Sequence, residues 1–355
     1  MAKSDKSHIT TVDFGAKSFS NKFLDVADYI YEAYKELSIE DASKFLEYRK
    51  KWQASLNLEE FDFPLYIMTE QTFSCNYMCP QCIHGDKEQK EKFQPLENLL
   101  PFDLFKKIID EGSKYGCRSL SLHHINEPLL VPDLPKRIKY AREKGFLDIH
   151  LVTNGELLTE KKSRELIESG VTRMMISIDA GRKETFEKLR VGGNFEKVKQ
   201  NVVNFVKIRN SMGLKLPVVR TSFVLQKDNE GELEEFKKFW ENVVDLIQIQ
   251  SFQLPYSNAK DSRTSNKSSI PEEDFKCDQP FNRIVIRADG TVLPCCSFSA
   301  FELPMGNVSD SPIFNINKDK IYDVWNSKKM KELRQIHKEG RFREIDACKK
   351  CVEWF

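Results

Sequence analysis

The sequence predicts an α/β fold built on a parallel sheet with helices outside it. Three observations carry this. From residue 64 onward short β-rich runs alternate with amphipathic helical runs; the alternation repeats six times; and strand parity gathers polar side chains on one face. Six βα repeats satisfy either an open doubly wound sheet or a closed or partial barrel.

Residues 1–15 form a polar tail. Two helical patterns follow: Phe23, Val26, Ala27, Ile30, Ala33 and Tyr34, then Phe45, Leu46, Tyr48, Trp52 and Leu56. They precede every chemistry-bearing motif, so residues 1–61 read as a tail and helical extension packed on the main domain. Strands are expected at 64–70, 118–124, 147–153, 173–179, 217–225 and 245–252, with helices near 102–115, 133–144, 159–169, 195–211 and 231–241. The helix-covered face of a parallel sheet is apolar. The opposite face here carries Tyr66, Met68 and Glu70, Ser121 and His123, Ser177 and Asp179, Arg220 and Ser222, Gln248 and Gln250. A polar inner face suggests a barrel-like lumen for a polar ligand, with Tyr66, His123, Arg220, Gln248 and Gln250 as substrate contacts. The main domain is then 62–254.

Residues 255–276 are polar and read as a linker or functional loop. The remainder, 277–355, holds a hairpin signal, Arg-Ile-Val-Ile-Arg, Ala-Asp-Gly, Thr-Val-Leu-Pro, and a helical run over 328–339. With so little apolar content it needs a staple, which a bound metal cluster would supply.

The chain has 355 residues, 55 basic and 54 acidic, for a formal charge of +1, which argues against a nucleic-acid or membrane-surface binder. At 40% hydrophobic residues it can bury a core. It has no run of about 18 apolar residues, and its polar start is not that of a signal peptide. A cytoplasmic location is expected, where structural disulfides are rare. Nine cysteines stand at 75, 79, 82, 117, 277, 295, 296, 348 and 351, in two groups far apart, a distribution that reads as metal ligands with spares.

Cys75, Cys79 and Cys82 form a C-x3-C-x2-C triad just past the first strand. Three thiolates are one short of a closed zinc site, and His84, as a fourth ligand, would crowd Cys82. Iron–sulfur clusters are held by thiolates in short loops of this kind, and three cysteines leave one iron open. The triad resembles that of the radical S-adenosylmethionine (SAM) superfamily. Other segments are similar to the family's, in order: Ile125-Asn126-Glu127-Pro128 after strand two, with Ile125 and Asn126 where glycines usually stand; Thr153-Asn154-Gly155 after strand three; Ile176-Ser177-Ile178-Asp179-Ala180 ending strand four; and Arg190-Val191-Gly192-Gly193-Asn194-Phe195. Gln81 stands where an aromatic residue is common. All fall at strand C-terminal ends, the active end of parallel barrels. The resemblance implies a partial (β/α)6 barrel that binds SAM through Asn126, Glu127, Thr153, Asn154, Ser177 and Asp179, with Ser177 or Arg220 on the SAM carboxylate.

Cys277, Cys295, Cys296 and Cys348-x2-Cys351 follow; bare spacing fits zinc or a cubane. With Ala288-Asp289-Gly290, Met305-Gly306-Asn307 and Val324-Trp325-Asn326 between them, the region 277–355 resembles a SPASM domain in its shortened "twitch" form. That resemblance implies one auxiliary cluster on Cys277, Cys295, Cys348 and Cys351, with Cys296 able to replace Cys295, hence two [4Fe-4S] clusters in a barrel with a small cluster-stapled α+β domain. The C-x17-C spacing is similar to that of the butirosin-pathway aminocyclitol dehydrogenase. Cys117 reads as a small buried hydrophobe. Cys296 is either a neighbour of the cluster or a thiol that gives a hydrogen atom to a substrate radical.

The implied activity is reductive cleavage of SAM, with an electron from a flavodoxin- or ferredoxin-like donor, and hydrogen abstraction from a small polar substrate such as a sugar or aminocyclitol. Oxidation is the expected outcome, by a dehydrogenase in which Arg220 contacts substrate or SAM. The alternatives are an epimerase using Cys296, a peptide-modifying maturase, and a zinc-binding interaction protein that is not an enzyme.

Overall fold

The computed structural model of the protein describes residues 17–19, 26–254, 259, 261–262, 277–308 and 320–353. The polar start and most of 255–276 therefore lie outside the described residues. The elements run β1 (Lys17–Phe19), α1 (Val26–Leu37), α2 (Ile39–Leu56), β2 (Tyr66–Thr69), α3 (Lys87–Phe93), α4 (Phe102–Lys114), β3 (Ser119–Ser121), α5 (Leu134–Glu143), β4 (Asp148–Thr153), α6 (Glu160–Ser169), β5 (Arg173–Ser177), α7 (Lys183–Leu189), α8 (Phe195–Ser211), β6 (Val218–Leu225), α9 (Leu233–Trp240) and β7 (Leu246–Ser251). After the linker come α10 (Gln279–Asn282), β8 (Arg283–Ile286), β9 (Thr291–Leu293), β10 (Gly306–Asn307), α11 (Ile321–Trp325), α12 (Lys328–Lys338) and α13 (Asp346–Glu353). The six expected strands and the five expected barrel helices are all present.

The strands form one sheet in the order β1-β7-β6-β5-β4-β3-β2-β8-β9-β10. From β7 to β8 every pairing is parallel; β1 and the β9–β10 end are antiparallel. The architecture is a partial β/α barrel with a small C-terminal α+β region. The expected hairpin is present as β8 and β9, but β8 also pairs with β2, from Tyr66↔Arg283 to Thr69↔Ile286. The barrel strands are thus extended by a seventh. Ile284, Ile286, Val292, Trp325, Met330 and Leu333 are buried in the same core as the barrel. The C-terminal region therefore has apolar support from the barrel as well as from any cluster.

Strand alternation is as parity predicts. Ile149 and Leu151 of β4, Met174 and Ile176 of β5, and Val219 and Phe223 of β6 are fully buried under the helices. Helix boundaries follow capping chemistry: Ser38 caps α2, Thr159 caps α6, and Asn194 caps α8 through side-chain bonds to Asp41, Lys162 and Lys197 N–H groups.

α1 and α2 close the strand N-terminal end of the barrel. Ile30, Tyr34, Phe45, Tyr48 and Trp52 pack with Tyr66, Leu147, Val218 and Leu246, which stand at or just before the strand starts. Each such apolar side chain contributes about 1.5–3 kcal/mol on full burial. Polar fasteners fix the angle of approach: Tyr34 Oη donates to the Leu147 carbonyl at 2.6 Å and Tyr48 Oη to Asp148 at 3.3 Å. No helix among the described residues is long and apolar enough to cross a membrane.

Candidate active site

The first cysteine loop leaves β2 at the opposite, C-terminal end of the strands. The Cys82 N–H bonds the Cys79 carbonyl at 3.0 Å, the Gly85 N–H bonds that of Cys82 at 2.9 Å, and Met78 N–H reaches across to Val191 at 2.9 Å. Burial pushes the Cys75 thiol up to about 12 and that of Cys82 up to about 11, and it raises Cys79 as well. Thiols this buried ionise only against a cation. Among the described residues no three His, Cys, Asp or Glu side chains converge closely enough for a single metal ion. Thiols spread around a loop suit a polynuclear cluster, whose cysteines bind separate irons, better than one zinc.

Gly85 makes the loop possible. A Cβ there would lie 2.2 Å from the Cys79 carbonyl oxygen and 2.8 Å from its carbon, both backbone atoms. Gly85→Ala should therefore displace Cys79 and lower iron content after anaerobic reconstitution by half or so, since the second cysteine group is untouched. An iron-to-protein ratio equal to that of wild type would contradict this.

The residues expected to hold SAM surround this loop. Glu127, buried, accepts from Leu129 N–H at 3.0 Å, Thr153 Oγ1 at 2.7 Å and Asn154 N–H at 2.8 Å, so it ties the loop after β3 to that after β4. Burial still raises its carboxyl. Asn154 Nδ2 donates to Asn76 of the cysteine loop at 2.8 Å. Asn126 Oδ1 accepts from His124 N–H at 2.9 Å, while its buried Nδ2 finds no partner among the described residues and is a ready donor for a ligand oxygen. Asn126, Glu127, Thr153 and Asn154 are thus brought together. Ser177 faces the lumen instead. Asp179 is fully buried with φ 60°, accepting from Val224 N–H at 2.8 Å and from Arg190. Arg190 in turn lies 4.0 Å from Cys79 Sγ. Burial lowers the Arg190 pKa, but Asp179 and Cys79 outweigh it and hold the group charged. The Cys79–Arg190–Asp179 chain went unread as a unit in the sequence, although both outer motifs stood out. His84 has a structural partner, its Nε2 lying 2.8 Å from the Ile125 carbonyl.

Between the two ends lies a lumen of about 600 Å³. The parity candidates Tyr66, His123, Arg220, Gln248 and Gln250 all line it. Burial pushes His123 down to about 3 and His150 well below its usual value, so both rings are neutral. Sequence reasoning did not place Arg173, Arg283 or α2 here, because which residues stand at the strand starts depends on long-range register.

The second cysteine group borders the lumen. Cys277 and Cys295 are raised well above the usual thiol range, first by burial; Cys295, Asp278 and Cys351 add to this at Cys277, and Cys351, Cys296 and Cys348 at Cys295. Cys351 is in turn raised by burial and by Cys296. Cys296 lines the lumen, and its Sγ donates to Gln279 Oε1 at 3.3 Å. Four thiols of this kind fit an auxiliary cluster. Cys117, 2% exposed, is a core residue, as read from the sequence.

A sulfur-rich loop at the mouth of a β/α barrel, with carboxylate- and amide-bearing loops around it, is suited to hold an iron–sulfur cluster with a polar ligand beside it. The radical SAM superfamily matches residues 70–239, and an iron–sulfur cluster-binding domain, SPASM, matches 277–352. A GTP 3′,8-cyclase of Aliarcobacter butzleri is 34% identical, the alignment covering 66% of this chain and 80% of the relative. A tungsten-containing aldehyde ferredoxin oxidoreductase cofactor-modifying protein of Pyrococcus furiosus is 25% identical over 80% of this chain and 86% of the relative. The fold is shared with BtrN in complex with AdoMet and 2-DOIA (TM-score 0.51, 20% identity, 82% of this chain and 94% of that one). It is shared also with Streptococcus suis SuiB bound to precursor peptide SuiA (TM-score 0.60, 14% identity, 82% and 71%). The chain belongs to the radical SAM superfamily and carries a C-terminal SPASM domain. It is an enzyme that binds SAM and iron–sulfur clusters and generates a 5′-deoxyadenosyl radical.

Proposed function

We propose that the enzyme acts on a small polar substrate in the lumen and that Cys296 completes turnover by returning a hydrogen atom, an epimerase-type outcome with no net oxidation. The observation that supports this is the placing of the Cys295-Cys296 pair: Cys296 lines the lumen, while Cys295 is not among its lining residues and its thiol is raised by Cys351 and Cys348 as well as by Cys296 itself. A lumen of about 600 Å³ whose far end α1 and α2 close favours a small molecule over a peptide.

SAM, held with the Cys75/Cys79/Cys82 cluster, supplies the 5′-deoxyadenosyl radical that takes a hydrogen atom from a substrate C–H bond. Gln248, Gln250 and the neutral His123 orient the substrate by hydrogen bonds without adding charge. Cys296 Sγ–H then gives a hydrogen atom to the substrate carbon; a new C–H bond forms and the S–H bond breaks. The sulfur regains its hydrogen from one electron, supplied by a flavodoxin- or ferredoxin-like donor, and one proton. Oxidation is the second reading, favoured by Cys295 standing next to Cys296: the substrate radical would lose an electron to the auxiliary cluster and a proton to a base.

Turnover in deuterium oxide separates the two. Hydrogen return predicts a product one deuterium heavier, at unchanged oxidation level, that disappears in Cys296→Ala. A product two hydrogens lighter than substrate, free of solvent deuterium and still made by Cys296→Ala, would sink the epimerase reading.

A further inference from the structure

Among the described residues, basic side chains outnumber acidic ones in the lumen lining. Its lining contains four guanidiniums, Arg49, Arg173, Arg220 and Arg283, against one carboxylate, Asp148. That carboxylate is already taken by Arg173, through bonds of 2.7 and 3.0 Å. Arg283 is the sharpest case. It is 1% exposed, opens β8, and lies against the edge-packed pair of rings Trp52 and Tyr66, at 5.3 and 5.5 Å from their centroids. Its Nε donates to Asn282 at 2.8 Å, but its buried Nη2 has no hydrogen-bond partner, and no carboxylate among the described residues lies within ion-pair distance. Asp278 is turned to Asn282, whose Nδ2 donates to its carboxylate at 2.9 Å. A buried, unpaired cation is strongly unfavourable, and the rings offset only part of that cost. Arg49, which also lines the lumen, lies 5.7 Å from the same Trp52 ring.

We propose that the closed end of the lumen is an oxyanion-binding site, in which Arg283 and Arg49, both packed near Trp52 of the N-terminal extension, hold a phosphate or carboxylate group of the substrate. This rests on the lumen as the substrate site and names the substrate class. Register sets the reach. Arg283 pairs with Tyr66 and Ile286 with Thr69, so the guanidinium level lies three residues, roughly 10 Å, below the strand ends that face the cysteine loop. The substrate is then an elongated small molecule, anionic at one end, with its reacting C–H about 10 Å away. The extension becomes part of the specificity apparatus, since α2 supplies both Trp52 and Arg49.

The test is calorimetric titration of the reconstituted, SAM-saturated enzyme with inorganic phosphate and, separately, malonate, with glycerol as the neutral control. Wild type should bind at least one of the anions saturably and glycerol not at all; the stronger of the two arms tells phosphate from carboxylate. Arg283→Met, which keeps the apolar stem against the rings, should weaken that binding by about tenfold or more, and Arg49→Met, at a half-exposed position, by a smaller factor. Binding unchanged in both variants, or no saturable binding of either anion to wild type, would overturn the proposal. The titration needs no turnover, so it stands or falls apart from the Cys296 experiment: deuterium outcomes against hydrogen return leave this site intact, and failure here leaves Cys296 untouched.

Discussion

Replacing Cys75, Cys79 and Cys82 together by alanine should abolish 5′-deoxyadenosine formation while leaving one iron–sulfur cluster bound. The first expectation follows from the open iron: three thiolates leave one coordination site for SAM, and no other group of the loop can supply sulfur ligands. Asn126, Glu127, Thr153 and Asn154 would still surround the site, so SAM binding without cleavage is possible. The second follows from distance in the fold. Cys277 stands just before α10, Cys295 follows β9, and Cys348 and Cys351 lie on α13, all in the C-terminal region rather than in the loop after β2. Iron content and dithionite-driven SAM cleavage check both at once. Residual 5′-deoxyadenosine above background would mean the triad is not the SAM cluster site.

Asp148→Ala should destabilise the protein by about 3–5 kcal/mol, the usual cost of removing one partner of a buried ion pair. Asp148 opens β4 with its side chain 2% exposed. Its carboxylate accepts from Arg173 Nε at 2.7 Å and Nη2 at 3.0 Å, from Ser119 Oγ at 2.9 Å and from Tyr48 Oη at 3.3 Å. One side chain therefore joins β3, β4, β5 and the α2 plug. Truncation strands the Arg173 charge in the lumen and unfastens the extension. Anaerobic urea unfolding measures the loss, and the double variant with Arg173→Met should recover part of it, since no buried charge is then left unpaired. A single-variant loss below about 1 kcal/mol would mean that the pair is solvated and that the extension does not seal this end.

The barrel was legible because its signals are local. Strand alternation and helical periodicity in 64–252 need only neighbouring residues, and parity placed Tyr66, His123, Arg220, Gln248 and Gln250 in the lumen before any coordinates. What stayed hidden depends on contacts distant in sequence. Arg-Ile-Val-Ile-Arg reads as one arm of a hairpin, and nothing local says that it also lies beside β2, more than 200 residues earlier. The amphipathic faces of α1 and α2 announce burial but not the surface they cover. The cysteine spacing stood out in the sequence, yet that Cys296 lines the lumen depends on the turn after β9. Arg283 is a strand residue, and nothing local says that Trp52 and Tyr66 pack against it.

Cys75, Cys79 and Cys82 are expected to hold the cluster that binds SAM, and the C-terminal cysteines a second cluster. Iron and sulfide analysis of the anaerobically reconstituted wild-type enzyme, followed by electron paramagnetic resonance of the dithionite-reduced protein with and without SAM, tests this most directly. About eight irons per chain are expected, as two cubanes, with a SAM-induced change in the signal of one cluster that is missing from the Cys75/Cys79/Cys82 variant. Colourless protein containing zinc, or a spectrum indifferent to SAM, would contradict this.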